Sequence, residues 1–177
     1  AINIPIRGLL ENLDKLPGLD EPIVIYCGSG HRGGIAIALL KGLGYTNVRN
    51  LGGGLGGWTK AGLPVETGVP AEAAAISTPI VENQALFTAF NDFLTSMPDS
   101  FYAIGAAPLN EALAGGATPV FIDVRSQAEW DKDGYIEGAT LIPLPDFMNS
   151  LDQLPEDTST PILIYCGSGH RGAIAMV

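Results

Sequence analysis

Positive charge is scarce in this chain: nine Lys and Arg stand against 19 Asp and Glu, a formal net charge of −10 over 177 residues. Such a surface repels nucleic-acid backbones and anionic membranes, so no nucleic-acid partner is expected. No apolar run approaches the roughly 18 residues that a membrane span needs. The start lacks the basic-then-apolar order of a signal peptide, although a chain opening at Ala1 rather than Met leaves room for a removed leader. Cysteine is limited to two, which suits the cytoplasm or an exported enzyme that keeps its thiols single. Charged residues are only 16% of the chain, but 46% is hydrophobic, with 23 Gly and 13 Pro. Disorder is thereby excluded for the whole, and a compact, loop-rich protein of one moderate domain or two small ones is expected.

The two ends of the chain repeat each other. Residues 1–17 align with 139–155 through Ile4/Ile142, Pro5/Pro143, Leu13/Leu151, Asp14/Asp152 and Pro17/Pro155. After one inserted residue, 22–33 match 161–172 at every position except Val24/Leu163. The period of about 138 residues suits an ordinary domain. One full period plus an overlap is present, and each end falls inside a unit. This reads as a fragment of a longer tandem array or, less simply, as a permuted arrangement.

Residues 1–67 carry the later half of a unit. Ile23 to Tyr26 is a short β-branched apolar run between Pro22 and a glycine-rich turn, the pattern of a buried parallel strand. A helix over Ile35 to Leu43 ends at Gly44, and Asn47 to Leu51 is a second strand. Gly52 to Gly57 is a tight turn under Trp58, leading to a short segment that stops before Pro64. Residues 68–82, with Ala71 to Ala75 and two prolines, read as a linker. Leu86, Phe87, Phe90, Phe93 and Leu94 then lie at helical spacing in a connecting helix within 83–103, whose apolar face needs a partner. Residues 104–177 carry the earlier half of a second unit: a short helix over Pro108 to Ala114, a strand over Pro119 to Val124 ending in Asp123 and Arg125, and the repeated loop. The β-α-β rhythm predicts an α/β fold.

Cys27 and Cys166 each stand where a strand ends and a glycine-spaced loop turns into a helix. Unpartnered N–H groups there, with the helix dipole, favour a thiolate. Gly28 and Gly30, like Gly167 and Gly169, let the backbone curl with amides pointing inward, and Arg32 or Arg171 adds a fixed positive charge. A donor anion with a leaving group would fit. The plainer reading makes Cys27 a small buried hydrophobe at a strand end. A Cys27 to Cys166 disulfide conflicts with their equivalent positions in separate loops. Zinc would find only Cys27 and His31 at suitable spacing. His31 reads as a partly exposed helix-start residue within reach of an incoming anion. Gly28-x-Gly30-x-x-Gly33 and Gly52-x-Gly54-x-x-Gly57 also satisfy a dinucleotide-binding spacing. However, no carboxylate stands about 20 residues after Gly28 to hold a ribose, and only Arg49 could meet a 2′-phosphate.

The run Cys27-Gly28-Ser29-Gly30-His31-Arg32-Gly33, its copy Cys166-Gly167-Ser168-Gly169-His170-Arg171-Gly172, the downstream Gly44-Tyr45, Leu51-Gly52-Gly53 and Trp58, and Ile122-Asp123-Val124-Arg125 together resemble the rhodanese family of sulfurtransferases. The likeness covers roughly 1–66 and 104–177. It implies a rhodanese-like parallel sheet flanked by helices, here assembled from incomplete tandem units. It also implies that Cys27 and Cys166 take sulfane sulfur from a small donor anion such as thiosulfate as persulfides and pass it to cyanide or a thiol. The residues from Gly28 and Gly167 onward would supply the anion cradle, with no metal or organic cofactor.

In the segment Gly134 to Ala139, Tyr135 stands where the family usually has a histidine. Asp123 and Arg125 read as a strand-end ion pair ordering the neighbouring loop, which Glu129 and Trp130 cover. Cysteine-dependent phosphatases need a Cys-x5-Arg loop to hold three phosphoryl oxygens, and Cys27 to Arg32 has one residue fewer between. A sulfur-relay or interaction module is the non-catalytic alternative, but a scaffold has no need of a nucleophile in an anion cradle. Neither unit is whole, and Cys27 is expected in the better-formed site. Completion would come from residues 119–138 within the chain, from a domain-swapped homodimer, or from neighbouring repeat units.

Overall fold

A computed structural model describes residues 1–69 and 71–177. It separates into two compact units, Ala1–Tyr102 and Ala103–Val177. Among the described residues no helix is long and apolar enough to cross a membrane.

The first unit opens with two 3-10 segments, Ile6–Gly8 and Leu10–Lys15, which bury Leu9, Leu10, Leu13 and Leu16. Strand β1 (Ile23–Ile25) follows, then helix α1 (His31–Gly42), strand β2 (Val48–Asn50), helix α2 (Gly54–Lys60) and helix α3 (Gln84–Ser96). β1 and β2 pair in parallel, with Ile23 opposite Val48 and Ile25 opposite Asn50. A parallel pair needs a crossover, and α1 supplies it, turning Ile35, Ala36, Leu39 and Leu40 inward. α1 starts four residues earlier than its apolar pattern suggests, because the glycine loop itself winds into the first turn. Its end is a Schellman motif: Gly44 takes φ 96°, its N–H donates to Lys41 O, and the N–H of Tyr45 donates to Leu40 O.

Asn83 caps α3 by accepting from the N–H of Leu86 at 3.0 Å. The apolar face of α3 finds its cover inside this unit. Phe90 packs against Gly42 at the end of α1, Leu94 is fully buried, and α3 lies against the 3-10 turn at Ile6–Gly8. Within 68–82, which compositionally reads as a linker, Pro70 lies outside the described residues. The N–H groups of Ile76 and Ser77 donate to the carbonyl of Asp14 at 2.7 and 3.0 Å, tying the stretch to the unit.

The second unit runs α4 (Ala106–Ala114), β3 (Val120–Asp123), α5 (Gln127–Asp133), β4 (Thr140–Leu141), two 3-10 turns, β5 (Ile162–Tyr165) and α6 (His170–Ala175). Its sheet has the order β4-β3-β5, parallel throughout. Ile122, Val124, Ile142 and Phe147 form its buried core, with Leu144, Leu154 and Ile164 packed against it.

One expectation is corrected. The run Ile23 to Tyr26 reads as a buried strand, yet Val24 is 64% and Tyr26 46% exposed. Among the described residues β1 pairs with β2 alone, whereas its repeat counterpart β5 pairs with β3 through its other edge.

Candidate active site

Each cysteine lies just past its strand, and the chain then curls through a glycine in the left-handed region into a helix. Gly30 takes φ 104° ahead of α1 and Gly169 φ 84° ahead of α6, conformations that an L side chain resists. The curl aims backbone donors at sulfur: the N–H of Gly30 lies 3.1 Å from Cys27 Sγ, and that of Gly169 lies 3.2 Å from Cys166 Sγ. Burial by itself pushes the Cys27 thiol up. The N–H groups of Gly33, Gly30, Ser29 and Arg32 outweigh it and leave the thiol below its ordinary value. Cys166 shows the same balance, burial against the N–H groups of Ser168, Gly172, Gly169 and Arg171, with the same net lowering. Both cysteines are free thiols.

Residues remote in sequence hold the Cys27 loop in place. The N–H of Leu55 donates to Cys27 O at 2.7 Å and that of Gly56 to Gly28 O at 3.0 Å. The Asn50 side chain donates to Gly30 O at 2.9 Å. Two glycines answer to close approach: a Cβ at Gly54 would collide with the Cys27 carbonyl, and one at Gly33 would overlap the Asn50 side chain. Sequence reading treats Gly52 to Gly57 as a turn beneath Trp58 and passes over Asn50. The available signal was the glycine run directly after the second strand, where the chain returns to the end of the first.

Phe101 closes one side. Its carbonyl accepts from His31 Nε2 at 2.8 Å, and its ring lies 5.4 Å from the Arg32 guanidinium and 5.3 Å from that of Arg7. Phe101 and Tyr102 hold this position with φ of 53° and 58°, an uncommon conformation for aromatic residues.

The surroundings of the second loop differ. Glu129 takes both terminal nitrogens of Arg171 at 2.6 Å, and this pairing holds the carboxyl far below its usual range and Arg171 firmly protonated. Glu129 also completes a capping box with Ser126 at the start of α5. At the end of β3, fully buried Asp123 receives the Arg125 side chain at 2.6 to 3.0 Å and the Arg125 N–H at 2.9 Å. Arg125 donates onward to Gly134 O at 2.7 Å. Burial would raise the Asp123 carboxyl, but Arg125 more than compensates and lowers it. Asp123 and Arg125 thus brace the segment from Gly134. In that segment Tyr135 stacks on Trp130 with ring centres 3.9 Å apart.

A comparison with protein families matches the rhodanese-like domain over residues 1–61 and 106–177. The chain belongs to the rhodanese-like domain family. Among characterised proteins, a sulfurtransferase of Allochromatium vinosum is 38% identical over 65 residues, covering 37% of this chain and 60% of that protein. The thiosulfate sulfurtransferase PspE of Escherichia coli is 37% identical over 54 residues, covering 30% of this chain and 52% of that protein. The rhodanese-like chain therefore spans roughly half the length of these relatives. A solved thiosulfate sulfurtransferase from Pseudomonas aeruginosa aligns over 98% of this chain and 33% of its own, at 21% identity and a TM-score of 0.40. The two rhodanese-like units share the loop geometry and differ in the arginine. Glu129 engages Arg171, whereas Arg32 has no ion pair among the described residues.

Proposed function

We propose that this protein is a sulfurtransferase that carries sulfane sulfur as a persulfide on Cys27. The observation that supports it most is the Cys27 thiol, lowered by converging N–H groups at the start of α1. In the proposed reaction the Cys27 thiolate attacks the sulfane sulfur of a donor such as thiosulfate. The new S–S bond forms as the donor's S–S bond breaks, and sulfite leaves with the electron pair. The loop amides and Arg32 neutralise the donor's charge. A thiolate or cyanide then attacks the outer sulfur, and the Cys27 thiolate is regenerated with no net oxidation.

Cys27 is favoured over Cys166 because an incoming anion at Arg171 must compete with a carboxylate already in place. The experiment is intact and peptide mass spectrometry after exposure to thiosulfate. A gain of one sulfur atom at Cys27, lost on addition of cyanide with release of thiocyanate, is expected. A folded protein that gains no sulfur from any donor, or that hydrolyses aryl phosphates faster than it transfers sulfur, overturns the reading.

A further inference from the structure

Strand pairing in the first unit brings one polar side chain to the rear of the Cys27 loop. Asn50 ends β2 opposite Ile25, two residues before the cysteine. From that register its half-buried amide meets the loop, and Nδ2 donates to Gly30 O at 2.9 Å. The same amide lies against Gly33, where a Cβ would stand 2.1 Å from Oδ1.

Gly30 is the pivot of the loop. It is buried, takes φ 104°, and directs its N–H to Cys27 Sγ at 3.1 Å, while its carbonyl accepts the N–H of Gly34 at 3.0 Å as α1 begins. Each peptide unit is planar and rigid, so only rotation at the Gly30 Cα relates the plane carrying the sulfur-facing N–H to the plane carrying that carbonyl. A residue without Cβ rotates there most freely, and a hold on the carbonyl from outside restricts where the N–H points. The ties from α2, Leu55 N–H to Cys27 O and Gly56 N–H to Gly28 O, act on the first half of the loop. Asn50 acts on the second half. Burial raises the Cys27 thiol, and among the groups that bring it down the N–H of Gly33 and the N–H of Gly30 lead.

We propose that Asn50 is a positioning residue for the nucleophile: by holding Gly30 O and packing on Gly33, it keeps the second half of the loop aimed at Cys27 Sγ and so sets how much of that sulfur is ionised at neutral pH. The proposal deepens the sulfurtransferase reading and takes Cys27 as the sulfur carrier from it. Asparagine suits the place, because Asp and Leu branch at the same carbon but cannot donate, and Gln would carry its amide one methylene further into the loop.

The test compares Asn50→Asp and Asn50→Leu with the parent in the full chain, each shown to be folded by circular dichroism. Iodoacetamide alkylation across pH, mapped by peptide, reads both cysteines. The Cys27 midpoint should rise by about one pH unit in both variants, the equivalent of one lost hydrogen bond, with Cys166 unmoved. Agreement between the charged and the neutral replacement assigns the effect to the missing donor rather than to added charge. Persulfide formation from thiosulfate should slow about tenfold below the parent midpoint and recover above both midpoints, a profile that a purely structural role does not produce. If Asn50→Leu does not fold, Asn50→Ala takes its place. A Cys27 midpoint equal to the parent's in a folded variant overturns the proposal, as does a loss of sulfur transfer that persists undiminished at high pH. Alkylation needs no sulfur donor, so it decides on Asn50 even where the parent acquires no sulfur, the outcome that overturns the sulfurtransferase reading instead.

Discussion

At Cys27 and Cys166 the decisive quantity is a balance between two local effects of one loop. Curling the chain tightly enough to bury part of the sulfur disfavours the thiolate, but the same curl brings several N–H groups to the sulfur, and these win in both units. Alkylation by iodoacetamide across pH, mapped by peptide, should therefore give midpoints at both cysteines below that of an ordinary free thiol, about 8.5. Because the folded values are depressed, the ionised loops contribute stability above the unfolded thiol value and lose it as pH falls through the folded one. Gly54 tests the support from outside the loop. Gly54→Ala places a methyl group against the Cys27 carbonyl; sulfur transfer at Cys27 should fall by about a hundredfold, as expected for misplacing a reacting group. The alkylation midpoint at Cys27 should rise with it, while Cys166 stays unchanged as the internal control.

Two elements of the second unit do structural work that side-chain chemistry makes measurable. β3 ends in the buried Asp123 and Arg125 pair. Asp123→Asn leaves Arg125 buried without its counter-charge, at a cost of about 3 kcal/mol in urea unfolding. The Asp123 carboxyl is lowered from its ordinary 3.8. Its contribution is complete above that value and is lost as pH falls through the lower folded one, so the stability gap between parent and Asn variant should close in acid. At the start of α5, Glu129 both caps the helix and neutralises Arg171. Glu129→Gln should release the guanidinium toward the loop. The fraction of Cys166 found as persulfide after thiosulfate treatment should then rise relative to Cys27, read by peptide mass spectrometry.

Over the whole chain, the two units carry the same loop with opposite halves of its surroundings. In the first, Asn50 and the start of α2 hold the cysteine loop, and in the second Glu129 beside β3 engages Arg171. Loss of one loop should therefore not be equivalent to loss of the other. Cys27→Ser is expected to remove most thiosulfate-dependent thiocyanate formation and Cys166→Ser little of it. The reverse result would place the working site in the second unit.

Strand, loop and helix were legible around both cysteines because their signals are local: a β-branched run, glycines where φ turns positive, and apolar residues at helical spacing. The duplicated loop was legible too, since identity across 22–33 and 161–172 needs no folding to be seen. Asn50, Gly54 and Phe101 were not, because their relation to Cys27 and Arg32 arises only when β2, α2 and the end of the first unit return to the β1 terminus. Nor could composition foretell that Val24 would stand exposed while its counterpart Leu163 pairs with Phe121. An apolar strand is buried by its neighbours, and which neighbours it has is decided by the sheet rather than by the run of residues itself.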